Sequence, residues 1–338
     1  MLVAPLAIQA QNLDLRLLKD TAPVRVRLLK AQTQLTVQKS LKQWGAVYRE
    51  KLKVYSYQNQ SGNSDKKYDL ILTIGMRDYL AGVLSGEMPL SWPIEALKAQ
   101  AVVARSYTIA KTQENHRQYY DVEVDQMDQV FKLPIASKAY KAVDQTRNYI
   151  LSYATDRGQN LIVKAYYHSD CGGQTVPANS VWPGALDTGT ASDPMCENRS
   201  NAWSVRVDKN HFFESDKPLQ IKKIKNKIIE IAGISIQKIR QKFGFSIVRN
   251  SPTEIKIEEN KMIIVGQGFG HGAGLCQWGS RDWAERGYSF KAIIKHYYPK
   301  VELAQIDDII DRNSLTQAQL NQTIKTRHDQ ISELALQN

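Results

Sequence analysis

From Pro93 to Thr112 the chain passes through Ala96, Leu97, Ala99, Ala101, Val102, Val103, Ala104 and Ile109, with little polar content on any side. Pro93 suits the first position of a helix. A helix so crowded with alanine and so poor in polar residues is buried, not laid on a surface. Another helix precedes it. Arg77 to Ser85 carries Tyr79, Leu80, Val83 and Leu84 at helical spacing, and Gly86 stands where a C-terminal cap belongs. The two are joined by the tight connector Glu87 to Trp92.

Around these helices the pattern is of strands. Val24, Val26 and Leu28 alternate with Arg25 and Arg27. Leu35-Thr36-Val37 reads as a second short strand, and Tyr68 to Ile74 as a third. Residues 13–65 therefore form a small β-rich N-terminal module, ending at the turn-rich Asn59 to Asp65. Further on, Asn160 to His168 is a strand, and Ser169 to Ser200 a loop. Trp203 to Val207 alternates, and Glu254 to Val265 is strand, turn and strand. Ser280 to Arg286 and Phe290 to Tyr297 look helical. Gly266 to Gly279 holds six of the 19 glycines, too many for a regular element. Residues 301–338 are Gln- and Asn-rich and read as a polar helical tail. The fold class is α+β: helices and mostly antiparallel sheets around a cleft, with no internal repeat.

Composition narrows the function classes. Of 338 residues, 42% are apolar and 23% charged, which excludes wholesale disorder. No apolar stretch reaches the ~18–20 residues of a spanning helix. Lys plus Arg outnumber Asp plus Glu 45 to 34, a surplus of +11 that favours a polyanionic partner without choosing one. Lys217 to Phe245 holds eight Lys or Arg against one acid, Glu230. No helix-turn-helix, zinc-finger or RNP pattern accompanies it, so it reads as a solvated basic face and not as a nucleic-acid site. Leu2 to Ile8 is apolar, but the basic segment that opens a signal peptide is missing. Residues 1–12 read as a truncated signal peptide or a frayed apolar end. Cys171, Cys196 and Cys276 form no Cys-x-x-Cys pair, so zinc-ribbon and thioredoxin-like readings fail.

Several residue groups have the makings of a site. Gly266 to Gly274 does not match a phosphate-loop spacing in any frame. It is either a tight turn or a cleft wall that aims His271 and Gln277 inward. His168-Ser169-Asp170-Cys171 holds triad residue types, but neighbours on a strand face opposite sides and cannot converge alone. Cys276 with His271 would make a thiol–base pair only with a third orienting group. Glu87 follows a helix C-terminus, whose partial negative charge disfavours a carboxylate, among Met88, Pro89, Leu90 and Trp92. A carboxyl kept partly neutral suits general acid work. Lys98 and Arg105 share one face of the next helix and offer a grip for an acidic substrate. On these residues alone, a loop glutamate with two ordinary surface cations is the favoured description.

The blocks Asp78 to Pro89 (ending Gly86-Glu87-Met88-Pro89) and Glu95 to Tyr107 resemble the stage II sporulation protein D family, SpoIID/LytB. So do Asp128-Gln129-Val130-Phe131, Tyr166 to Thr175, Val181-Trp182, Gly268 to Gly279 and Ile293 to Pro299, all in the family's order over about 75 to 300. The resemblance implies a catalytic domain over 66–300 acting on peptidoglycan, by lytic transglycosylation of glycan strands stripped of stem peptides. It makes Glu87 the catalytic acid and puts Lys98, Arg105, Gln129, Tyr167, Ser169, His271 and Gln277 in the cleft. Tyr167 or Trp182 would stack on sugar rings. The LytB branch implies an alternative, a non-catalytic wall-binding module that enhances an amidase. Either role implies export to the periplasm or cell wall, with glycan strands as partner and no cofactor. Some members place two His and two Cys in the loop before Gln129. This chain has His116, Val122, Met127 and Asp128 at that spacing, so no structural zinc is expected there. In an exported protein a Cys171–Cys196 disulfide is expected, closing a loop of about 26 residues and adding roughly 3 kcal/mol, with Cys276 left free.

Overall fold

The computed structural model describes residues 21–58, 66–124, 128–133, 135–156, 158–197, 201–211, 219–314 and 322. The candidate signal segment, the 59–65 turn, Met127, Lys217 and most of the tail lie outside them. The described residues form mixed helices and mostly antiparallel open sheets, the expected α+β class.

The N-terminal strand β1 (Pro23–Gln32) is followed by helix α1 (Gln34–Tyr48), then strands β2 (Leu52–Gln58) and β3 (Lys66–Gly75). The expected strand at Leu35-Thr36-Val37 is thus the first turn of a helix. Thr33 Oγ1 accepts from Thr36 N at 3.3 Å and caps it. Val37, Leu41 and Trp44 then recur at helical spacing, a period that a three-residue window does not reveal. Helices α2 (Met76–Glu87) and α3 (Ile94–Glu114) come next, then the two-residue strand β4 (Val122–Glu123). The first sheet runs β2-β3-β1-β4, antiparallel except where β4 joins β1. It therefore draws on residues both before and after 65.

Helix α3 is the axis of the main core. Its alanine, leucine and valine positions from Ala96 to Ala104 are fully buried. Against it pack α2, helix α4 (Ser137–Gln145) and strand β5 (Tyr149–Ala154). Pro93 is the cap of α3, one residue earlier than expected. Gly86 is no cap. Helix α2 continues to Glu87, and a side chain at Gly86 would run into the Val130 carbonyl. Glycine here allows close approach, not a left-handed turn.

The expected strand 160–168 is interrupted: β6 (Asn160–Ile162) pairs with β5, and β7 (Tyr167–His168) belongs elsewhere. Short helices α5 (Ala178–Val181) and α6 (Pro194–Glu197) interrupt the following loop. Next is a satellite body. Strand β8 (Ala202–Asp208) leads to β9 (Ile221–Ile224), β10 (Lys227–Ile231), β11 (Ile234–Ser235), helix α7 (Ile236–Phe243), β12 (Glu254–Glu258) and β13 (Lys261–Gln267). Its own core includes Trp203, Ile228, Ile231, Ile239, Val248 and Ile264. Of the basic stretch, Lys222, Lys223, Lys225, Lys238 and Lys242 are exposed as expected. Lys227 and Arg240 are buried, the latter donating to the Val248 and Arg249 carbonyls.

The chain then returns to the main core through β14 (Leu275–Cys276), α8 (Gln277–Glu285) and α9 (Phe290–Tyr297). Residues 301–338 do not open as a helix. Strand β15 (Glu302–Gln305) pairs antiparallel with β5, burying Ala304, before residues 306–314 turn helical. No helix among the described residues is long and apolar enough to cross a membrane.

Candidate active site

Two glycines one helical turn apart on α2 shape the site. Side chains at Gly82 and Gly86 would collide with Phe131 and Val130. Their absence lets residues 130–132 lie against the helix, with Lys132 N donating to Gly82 O at 3.1 Å. That approach delivers Val130 N to Glu87 Oε1 at 2.6 Å. A second wall comes from β7, where Tyr167 OH donates to the same oxygen at 3.1 Å. The third comes from the glycine-rich segment. Gly268, Gly270, Gly272 and Gly274 all have positive φ. At Gly274 a side chain would strike the Tyr166 carbonyl, so glycine alone lets β14 pair in parallel with β7. Helix α8 then starts at Gln277, whose Nε2 donates to Glu87 Oε2 at 3.3 Å.

Three segments far apart in sequence thus converge on one carboxyl. Burial raises the Glu87 pKa above the ordinary glutamate value, and the bonds from Val130, Gln277 and Tyr167 oppose that rise. Among the described residues no hydrogen bond joins Glu87 to a second carboxylate. Burial pushes the Tyr167 phenol well above its usual range, so it stays a donor.

The remaining expected residues divide. Gln129 is fully buried behind the site. Its Oε1 accepts from Tyr79 OH at 3.0 Å and Thr108 Oγ1 at 2.8 Å, fixing the segment that presents Val130. Ser169 contributes its carbonyl, which accepts from Trp278 N at 3.0 Å and so holds the first turn of α8. His271 lies in an aromatic group, its ring centroid 4.7 Å from Trp182 and 5.5 Å from His168. Trp182 is stacked on Tyr166 at 4.0 Å. Burial drives the His271 pKa well below its ordinary value and pushes His168 down to about 4, so both rings are neutral at neutral pH. The glycine-rich turn therefore brings Gln277 to Glu87, and His271 into this aromatic group beside Tyr167.

Lys98 and Arg105 have other partners. Lys98 Nζ sits 2.7 Å from Glu95 Oε1, and Glu95 Oε2 in turn accepts from Phe290 N at the start of α9. Arg105 is 1% exposed and donates to the carbonyls of Thr146, Tyr149 and Val143, clamping the turn between α4 and β5. An arginine on a buried helix satisfies itself on nearby carbonyls, so Arg105 is turned inward and does not share an exposed face with Lys98.

The cysteines also depart from expectation. Cys171, Cys196 and Cys276 are all buried free thiols, and Cys276 joins the other two, its Sγ 3.7 Å from that of Cys196. The thiol–base pair with His271 does not form. In the loop before Gln129, His116 is exposed and bonded to the Gln113 carbonyl. Asp128 there is bound by Tyr107 OH at 2.7 Å and Lys111 Nζ at 3.0 Å. Sequence reasoning missed the Val130 amide because backbone groups leave no residue-type signature. The one available signal was the Gly82–Gly86 spacing of four.

The SpoIID family model, described as stage II sporulation protein, matches residues 64–153. Glu87, Lys98, Arg105 and Gln129 lie within that span, while Tyr167, Ser169, His271 and Gln277 lie beyond it. Stage II sporulation protein D of Bacillus amyloliquefaciens is 26% identical over 282 residues, covering 71% of this chain and 77% of that protein. A protein of Brachyspira hyodysenteriae is 29% identical over 260 residues, covering 71% and 68%. The amidase enhancer of Bacillus subtilis is 26% identical over 291 residues, covering 66% of this chain and 40% of its own length. With the motif blocks in order and these relatives alongside, the chain is similar to the stage II sporulation protein D family, whose model its residues 64–153 match.

Proposed function

We propose that this protein is an exported peptidoglycan lytic transglycosylase. It cleaves the bond between N-acetylmuramic acid and N-acetylglucosamine in denuded glycan strands, with Glu87 as both acid and base. The observation that carries the reading is the single carboxyl at the meeting point of three segments, with its neutral form favoured by burial. Hydrolases need a pair of carboxylates, whereas a lytic enzyme can cycle one proton through one group.

Oε1 already accepts two bonds, so the proton belongs on Oε2. In the first step Oε2–H protonates the glycosidic oxygen as the bond to the muramic C1 breaks. The 6-hydroxyl of the same sugar then attacks C1 and returns its proton to Glu87, closing a 1,6-anhydro ring. Gln277 suits both halves, because an amide can donate to the carboxylate or, turned over, accept from the acid. Tyr167 and the Val130 amide stabilise the ionised form between the steps.

The competing reading is a wall-binding module that enhances an amidase, favoured by the name of the Bacillus subtilis relative. The deciding experiment incubates denuded strands with the wild type and with Glu87→Gln and weighs the products. Anhydromuramyl ends made only by the wild type support the enzyme. Binding without cleavage supports the module.

A further inference from the structure

Behind the wall that carries Gln277 lies a second cluster, which the reaction does not use. Cys171, Cys196, Cys276 and Asp170 are all buried, and each offers one ligand atom within 4.8 Å of the others. The three sulfurs come from separate places: the strand exit after β7, helix α6, and the last residue of β14. Cys276 is 105 residues from Cys171 and 80 from Cys196. We propose that these four residues form a structural site for a zinc-class divalent ion.

The dimensions fit. A zinc–sulfur bond of about 2.3 Å sets the sulfur–sulfur edge of a tetrahedral site at roughly 3.75 Å. Cys196 Sγ and Cys276 Sγ are 3.7 Å apart. A disulfide needs about 2.05 Å and uses two sulfurs, leaving the third thiol unexplained. The surroundings suit thiolates. Cys276 caps α8, and its Sγ accepts from Gly279 N at 3.3 Å and from Cys171 N at 3.2 Å. The Asp170 carboxylate is oriented by Gly172 N at 2.9 Å and by Asn201 Nδ2 at 2.5 Å, the outer bonds a ligating carboxylate calls for. Three thiolates and one carboxylate carry the same charge as a four-cysteine zinc site. The buried Lys227 ammonium, bonded to the Gln267 carbonyl, lies within Coulombic reach of all four. Asp193 stands outside the four, its Oδ2 3.8 Å from Cys171 Sγ and 3.7 Å from Cys196 Sγ, and takes a hydrogen bond from Tyr297 OH.

Binding displaces the three thiol protons to solvent and joins the exit of β7, α6 and the start of α8. Because Gln277 follows Cys276, the ion fixes the wall that reaches Glu87. The site is thus a staple and takes no part in proton transfer.

The test uses the whole chain, purified under reducing conditions, dialysed with zinc and then analysed for metal and by intact mass. One zinc per chain is expected. Replacing zinc by cobalt should give an intense thiolate-to-cobalt charge-transfer band and the spectrum of a tetrahedral ion. Cys196→Ser should lose both. Should that variant fail to fold, the wild type still decides. A strong chelator should lower its thermal midpoint, and zinc but not magnesium should restore it. Substoichiometric zinc, a cobalt spectrum without thiolate bands, or a mass two hydrogens short in metal-free protein would each overturn the proposal. The last would make the cluster a disulfide with a spare thiol.

Discussion

Cys276 and Gln277 are neighbours in sequence and serve two unlike chambers. Gln277 reaches into a polar one, where Glu87 is half-buried and takes bonds from a backbone amide, a phenol and an amide side chain. Cys276 faces a dry one, where three sulfurs pack together and burial holds its thiol well above the ordinary range. Both chambers disfavour charge on their acidic groups. The difference is compensation. Donors from three directions oppose the rise that burial imposes on Glu87 and support its ionised form, which suits proton cycling. Burial keeps the Cys276 thiol neutral, and the two backbone amides at its sulfur support a thiolate once a cation displaces the proton, which suits a staple.

The strongest way to break the comparison is to remove the cycling proton. Glu87→Gln keeps the shape and should lower turnover about 10²–10⁴-fold, with folding retained by circular dichroism. The pH dependence has a definite sign. A carboxyl whose folded pKa is raised contributes its full stability below the unfolded pKa and loses it as pH rises through the folded pKa. Wild-type stability should therefore fall over that window, from the ordinary glutamate value upward, relative to Glu87→Gln. Turnover should fall on the same alkaline limb. Parallel denaturation curves for the two proteins across pH would show that Glu87 is not poised.

A next-largest effect is expected from the glycine that admits Val130. Gly86→Val forces a side chain into a backbone carbonyl and should cost about 1–3 kcal/mol of stability in urea unfolding. A fully stable variant would show that segment 130–132 is not held against α2. Subtler still is Tyr167→Phe, which loses one hydrogen bond worth about 0.5–1.5 kcal/mol. Turnover should drop up to about tenfold, and the alkaline limb should move to higher pH because a donor to the carboxylate is gone. Lys98→Ala should do least. Its pairing with Glu95 is worth about 0–1 kcal/mol, and turnover on bare strands should stay near wild type. A large rise in KM with kcat unchanged would return Lys98 to the substrate.

How much of this was legible in sequence depends on how far each signal extends. Helix α3 and strands β3, β8 and β13 were readable because period and burial agree over many residues. Residues 35–37 misled because three β-prone residues lay under a helix cap at Thr33. Gly86 misled because glycine marks both a helix end and a close approach, and only the fold distinguishes them. Glu87, Tyr167 and Gln277 were found through motif blocks and do meet. Lys98 and Arg105 lie in the same blocks, yet block membership does not say where a side chain points. The sulfur cluster escaped because metal-ligand spacing rules are local, while these ligands are joined only by tertiary structure.

The most direct measurement is mass analysis of the products from denuded glycan strands, wild type beside Glu87→Gln. If Glu87 is the single acid and base, the wild type yields 1,6-anhydromuramyl ends and the variant yields none while still binding strands. Reducing ends alone, or full activity without the carboxyl, would contradict it.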